Sequence, residues 1–348
     1  MNSWWKWAIG LALGVALLAG CGGQGTEPAN PADTLAPLAR PTIAAAALDG
    51  RPLRVVATTS LVGDAVARVG GESIALTTLM PPGQDPHSYQ PAAADLAAAA
   101  DADLIFVNGW NLEEGLLGDL DAAGDAPLVP VSAGVFPLPV NEGEAHEDEE
   151  DAGAADHDHQ GPDPHVWQDV SNVMRWVDNI AAVLSEADPA NAATYAANAA
   201  VYRAELADLD RFVREQTATI PAERRVLVTN HDTLAYFAAA YDFRVLGSVL
   251  PGASTLAEAT AANLAALAEA MAEAGVCSLF VETTAADQVA RTLSEELDNC
   301  DEVRVLSLYS DALGPPGSGA ESYVGMMRAN VTIIVDALGG SAGERQGT

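Results

Sequence analysis

The chain has 348 residues, 49 of them acidic and 16 basic, for a formal net charge of −33 at pH 7. With 49% hydrophobic and 19% charged residues, it has enough apolar side chain for a sizeable core in two domains or lobes, and a phosphate backbone would be repelled, which excludes nucleic acid as a partner. Lys6 is the one lysine, which excludes a P-loop lysine, a pyridoxal Schiff base and a kinase-type phosphate lysine in the folded part.

Residues 1–21, MNSWWKWAIGLALGVALLAGC, place a positive charge at Lys6 before an apolar run from Ile9 to Ala19. That run is too short for a comfortable membrane span and reads as a secretory signal. Its end, Leu18-Ala19-Gly20-Cys21, resembles the bacterial lipobox, in which the cysteine is diacylated and becomes the mature N-terminus. Two acyl chains make a stable anchor where one is marginal. Residues 22–51 are rich in Gly, Pro, Ala and Thr without periodicity, and read as a flexible tether. The expected location is extracytoplasmic, anchored to the bacterial cell membrane through a lipid on Cys21.

From residue 53 short β-rich runs alternate with Ala-rich helical stretches. Strands are expected at 53–59, 74–79, 104–107 and 128–131, with helices around 61–69 and 92–100. The rhythm returns with strands at 225–229, 244–249, 278–282 and 303–308. Such alternation predicts an α/β fold with two lobes, each a mostly parallel sheet flanked by helices. The N-terminal lobe spans 52–170 and the C-terminal lobe 221–340, with connecting helices over 171–220. Asp188 and Pro189 read as the N-cap and first residue of a helix. From there to residue 219 the chain has no Gly or Pro, which predicts one long rigid linker helix over 189–219, roughly 45 Å at 1.5 Å per residue. Cys277 and Cys300 each precede a strand-like run. If those strands are parallel neighbours a disulfide is feasible in an oxidising compartment; two buried thiols are the alternative.

The six histidines divide into two groups. His146, His157 and His159 fall in residues 141–160, NEGEAHEDEEDAGAADHDHQ, where nine of twenty residues are acidic. Such a tract has no apolar face to bury and reads as a mobile surface loop able to collect divalent cations weakly. His87, His165 and His231 lie near the ends of strand-like runs or in turns, each beside an aspartate: Asp85-Pro86-His87, Asp163-Pro164-His165 and His231-Asp232. The proline fixes the backbone before the imidazole, and a neighbouring carboxylate can accept the second ring N–H and set the tautomer.

The segments PPGQDPHSYQPAAAD (81–95), DPHVWQD (163–169), NHDTLAYFAAAYDF (230–243) and LYSDALGPPGSGAESYVGMMRANVTIIVDAL (308–338) resemble, in order, the motifs of the zinc/manganese substrate-binding proteins of ABC transporters. The resemblance runs from about 52 to 340. It implies two α/β lobes joined by a long helix, and one metal held between them by His87, His165, His231 and Asp311. It also implies partnership with an ABC permease and its ATPase, and a monomer is expected. Three neutral imidazoles and one carboxylate suit tetrahedral Zn²⁺ better than Mn²⁺, which favours more oxygen. Glu282, at a strand end, and Asp232 are candidates for supporting the ligands, and 314–319 for a flap over the cleft. Affinity is expected to fall as pH drops through about 6, as free imidazoles protonate. A secreted zinc hydrolase is the competing reading, but the four ligands leave no open position for water, and the sequence has no HExxH or GxSxG. No enzyme activity is expected. A surface adhesin with an incidental metal is the third reading.

Overall fold

The computed structural model describes residues 36–140, 161–283, 293, 297, 300 and 303–341. Two four-stranded parallel sheets form the frame. The first has β1 (Leu53–Ala57), β2 (Ile74–Thr78), β3 (Leu104–Val107) and β4 (Leu128–Pro130) in the order β2-β1-β3-β4. The second has β5 (Val226–Thr229), β6 (Arg244–Ser248), β7 (Ser278–Glu282) and β8 (Arg304–Leu308) in the matching order β6-β5-β7-β8. Strands β3, β5 and β7 are buried along their whole length, as expected where helices cover both faces of a parallel sheet. The strand ends fall within two residues of the sequence expectation.

Helices α1 (Ser60–Gly70), α2 (Ala93–Ala100) and α3 (Leu116–Ala123) accompany the first sheet, and α6 (Ala235–Tyr241), α7 (Ala261–Ala274) and α8 (Tyr323–Ala337) the second. Between them lie α4 (Val170–Ala187) and α5 (Ala192–Thr217). On α4, Val173, Trp176, Val177, Ile180, Val183 and Leu184 are buried, the three- and four-residue spacing of one apolar stripe. On α5 the buried set is Tyr195, Ala199, Tyr202, Leu206, Leu209 and Val213. At 26 residues, α5 is roughly 39 Å long, and it packs on α4, α1 and α8. One apolar core unites Val55 and Phe106 of the first sheet, the stripes of α4 and α5, and Leu227, Phe280 and Leu308 of the second. The two lobes therefore share a stiff spine.

Two expectations differ from the structure. The α-helix begins at Ala192, because Pro189–Asn191 forms a 3-10 turn. The Asp188 carboxylate accepts from Asn191 Nδ2 (2.6 Å) and Tyr195 Oη (2.9 Å) and caps no backbone N–H. Residues 36–51, read as part of a tether, lie along the fold: Arg40 makes a two-pronged pair with Glu186, Ala46 N–H donates to Ala187 O at 2.8 Å, and Ile43 is buried.

Cys277 and Cys300 form a disulfide, with Cα atoms 5.8 Å apart. Cys277 immediately precedes β7, and its carbonyl accepts from Arg304 N–H at 2.9 Å where β8 begins. The bond therefore staples the amino ends of two parallel neighbours, β7 and β8. Among the described residues no helix is long and apolar enough to cross a membrane. Cys21 lies outside the described residues.

Candidate metal centre

In both sheets the chain leaves the first strand for one neighbour and returns to the other, so β1/β3 and β5/β7 are topological switch points, where a crevice opens beyond the carboxyl ends of the strands. At β5/β7, His231 lies two residues beyond β5 and Glu282 is the last residue of β7. Asp311 follows β8 by three residues, His87 lies in the connection after β2, and His165 immediately precedes the 3-10 turn Val166–Gln168 that leads into α4. All four proposed ligands are buried, His87 being the most exposed at 4%.

Their ligand atoms converge within 4.8 Å of one another. His165 Nε2 lies 3.4 Å from His87 Nε2 and 3.1 Å from His231 Nε2. Four ligands 2.0–2.1 Å from a tetrahedral zinc would stand about 3.3–3.4 Å apart. Asp311 closes the set, Oδ1 lying 3.7 Å from His165 Nε2 and Oδ2 3.6 Å from His231 Nε2 and 4.0 Å from His87 Nε2. Asp311 Oδ2 is buried without a hydrogen-bond partner, a costly state that a cation would relieve.

Each imidazole has a carboxylate at its other nitrogen. His165 Nδ1 meets Asp163 Oδ1 at 2.7 Å, His231 Nδ1 meets Glu282 Oε1 at 2.5 Å, and His87 Nδ1 meets Glu114 Oε1 at 3.3 Å. A ring whose Nδ1–H is donated to a carboxylate presents the Nε2 lone pair to the centre. Burial works against charge on His231, but Glu282 and Asp311 outweigh it and raise its pKa to about 9. Burial, then the neighbouring His231 and His87, hold His165 well below the usual imidazole value. Burial lifts Asp311 to about 6. Raised on His231 and lowered on His165, the two values favour a proton on His231 Nε2 facing the His165 Nε2 lone pair across 3.1 Å.

The two Asp-Pro-His tripeptides share a backbone turn and differ at the ring. In each, the aspartate Oδ1 accepts the histidine backbone N–H, at 2.9 Å for Asp85 and 2.8 Å for Asp163. Asp163 also takes its own histidine's ring, whereas the His87 ring turns to Glu114. Glu282 takes the His231 ring, while Asp232 gives its backbone N–H to Gly252 O at 2.9 Å.

Glu113 and Glu114 have no counterpart in the sequence reading. They follow a turn in which Gly109 (φ 108°), Trp110 (φ 48°) and Asn111 (φ 60°) are all left-handed, a cost of about 1–3 kcal/mol for each non-glycine residue. Glu113 Oε1 holds this turn by accepting from Thr58 Oγ1 (2.6 Å) and Asn108 N–H (2.7 Å), and burial raises its pKa. Asn108 Nδ2 then donates to Pro164 O at 2.9 Å. One strained turn thus supports both the His165 segment and the His87 ring. The Asn-Gly step closing β3, with its acidic pair four residues on, was the available signal.

Trp167 Nε1 donates to Ser310 O at 2.8 Å, fastening the His165 segment to the Asp311 segment. Leu313 N–H donates to Ser60 Oγ at 3.0 Å. The expected flap at 314–319 closes on itself through Gly314 N–H to Ala320 O at 2.9 Å, with 315–319 exposed. His146, His157 and His159 lie outside the described residues.

A family model described as "ZnuA: Zinc-uptake complex component A periplasmic" matches residues 55–337. The manganese-binding lipoprotein MntA of Halalkalibacterium halodurans is 35% identical over 292 residues, 83% of this chain and 90% of that protein. The zinc-binding protein TroA of Treponema pallidum is 35% identical over 297 residues, 84% of this chain and 91% of that one. Among solved structures, the periplasmic zinc-binding protein TroA from Treponema pallidum matches with a TM-score of 0.71 at 33% identity, covering 83% of this chain and 99% of that one. The Mn-bound periplasmic metal-binding protein from Candidatus Liberibacter asiaticus matches with a TM-score of 0.69 at 27% identity, covering 82% and 98%.

Proposed function

The chain belongs to the ZnuA family of metal ABC transporter substrate-binding proteins, and from that premise we propose that it captures one Zn²⁺ outside the cytoplasm through His87, His165, His231 and Asp311. The ion is cargo, passed to an ABC permease powered by its ATPase. The family consists of transporter components, not enzymes. The reading rests on one observation: neighbouring Nε2 atoms 3.1–3.4 Å apart, each imidazole backed by its own carboxylate, beside an unpartnered Asp311 oxygen.

Relatives are named for both manganese and zinc, so the metal is proposed from the donor set. Three imidazoles and one carboxylate complete a tetrahedron, the coordination Zn²⁺ prefers. Most nitrogen-rich sites favour Zn²⁺ over Mn²⁺, so retention under competition is the useful measurement. Protein loaded with one equivalent of Zn²⁺ is expected to keep it against excess Mn²⁺. Retention of Mn²⁺ against equimolar Zn²⁺ would overturn the zinc assignment, and the lack of any tight equivalent would overturn metal capture. A chain lacking residues 141–160 is expected to keep the tight equivalent and lose only weak ones, the His146, His157 and His159 tract being a collector.

We further propose that Cys21 is the lipidated mature N-terminus, residues 1–21 are the signal, and the monomeric lobes are held at the membrane surface. Several relatives are named lipoproteins. Mass spectrometry of the membrane fraction is expected to find a chain starting at Cys21 with added acyl mass. A soluble chain starting elsewhere would refute the anchor.

A further inference from the structure

We propose that the segment 249–260, between β6 and α7, is a latch from the second lobe that holds His87 in its ligating position, so that release of the latch frees the metal on the His87 side. The inference rests on the metal-capture reading above.

The three histidines are not supported alike. Asp163 and Glu282, which hold His165 and His231, are buried, and each belongs to the same lobe as its histidine. His87 depends on Asp85 for its backbone N–H and on Glu114 for its ring. The Glu114 side chain is 31% exposed, and its contact with the ring, at 3.3 Å, is the longest of the three. Both supports face the segment 249–260 of the other lobe, and one of them is bonded by it. Thr255 Oγ1 donates to Asp85 Oδ2 at 2.8 Å across 170 positions of sequence, and, after the His87 ring, the neighbouring Ser254 side chain helps hold the Glu114 carboxyl below its ordinary value. Ser88 Oγ also donates to Asp85 Oδ2, at 2.7 Å, and would stay with it if the latch opened.

The base of the same segment is tied to the His231 turn. Leu250 N–H donates to Asn230 O at 2.7 Å, and Asp232 N–H donates to Gly252 O at 2.9 Å. One loop therefore runs from the backbone around one ligand to the carboxylates behind another. Behind the site the lobes are fixed by the shared core and by Trp167 to Ser310 and Leu313 to Ser60. At the latch they meet through side-chain hydroxyls that water can replace. Opening there leaves Asp85 and Glu114 solvated and the His87 ring free to turn, while His165, His231 and Asp311 keep their supports.

The test is metal release from the full-length mature protein loaded with Zn²⁺, followed by transfer to a fast chelator. Ser254→Ala/Thr255→Val is expected to speed dissociation about tenfold, the lower range for loss of a partner behind a ligand, with the association rate nearly unchanged. Thr255→Ser is expected to keep the wild-type rate by retaining the hydroxyl. In a His87→Ala background the double substitution is expected to add nothing further, because its effect passes through that ring. Wild-type dissociation in the double variant, or an equal acceleration with and without His87, would overturn the latch. If the double variant does not fold, Thr255→Val alone replaces it, with a smaller acceleration expected and an unchanged rate overturning the proposal. Failure of the wild-type protein to hold Zn²⁺ tightly would instead overturn metal capture itself.

Discussion

Calorimetric titration of His231→Ala with Zn²⁺ is expected to show a loss of about a thousandfold in affinity, about 4 kcal/mol at 1.4 kcal/mol per decade. In the proposed site the imidazole is one of four donors, 3.1 Å from His165 Nε2 and 3.6 Å from Asp311 Oδ2. Its removal also leaves Glu282 with only the long backbone N–H contact of residue 231, at 3.4 Å. That carboxylate is 5% exposed, its Oε1 loses the ring, and its Oε2 has no hydrogen-bond partner. An uncompensated buried charge is among the costliest defects a site can carry. Glu282→Gln separates the two effects. The amide oxygen can still accept from Nδ1 but brings no charge, so the expected loss is about 10- to 100-fold, the range for the partner of a metal-bound histidine. Equal affinities for His231→Ala and wild type would remove His231 from the site. Equal losses in the two variants would mean that charge, not ligation, dominates at this corner.

The parts legible in the sequence are those whose physics is local. A parallel strand covered on both faces is a short unbroken apolar run, so LIFV and VLVT mark β3 and β5 almost to the residue. A stretch free of Gly and Pro marks α5 just as plainly. The histidines stood out because there are only six. What was hidden depends on chain crossings that no spacing encodes. Glu114 is 27 positions from His87 and reaches it only because the left-handed turn at 109–111 redirects the chain. Asp85 and Asp163 occupy identical tripeptides, yet only Asp163 takes its own histidine's ring, since Glu114 stands behind the other. Residues 36–51 have a tether's composition, and their place in the fold comes from partners at the end of α4, chiefly Glu186 for Arg40 and Ala187 O for Ala46.

Affinity for Zn²⁺ is expected to rise about tenfold per pH unit between pH 6 and 9 and to level off above, because binding must displace one proton there. The sign follows from the site. Glu282 and Asp311 raise His231 to about 9, so in the metal-free protein its imidazole is mostly charged until the pH approaches that value. The proton on Nε2 and the metal compete for the same lone pair, and lowering the pH favours the proton. His165 adds no second proton in this range, since burial and its two imidazole neighbours hold it neutral. Below about 6 Asp311 takes up a proton as well, and the dependence steepens toward two protons per metal. A site of unperturbed imidazoles would instead weaken only as pH fell through about 6.5, as composition alone suggests. The two cases part clearly between pH 7 and 9. Calorimetry at pH 7.5 in buffers of different ionisation enthalpy is expected to count about one proton released per Zn²⁺, whereas a flat affinity from pH 7 to 9 with no released proton would show that His231 is already neutral. Glu282 therefore acts twice: it takes the His231 Nδ1 side of the ring and leaves Nε2 for the ion, and together with Asp311 it stabilises a proton on that ring when the ion is away.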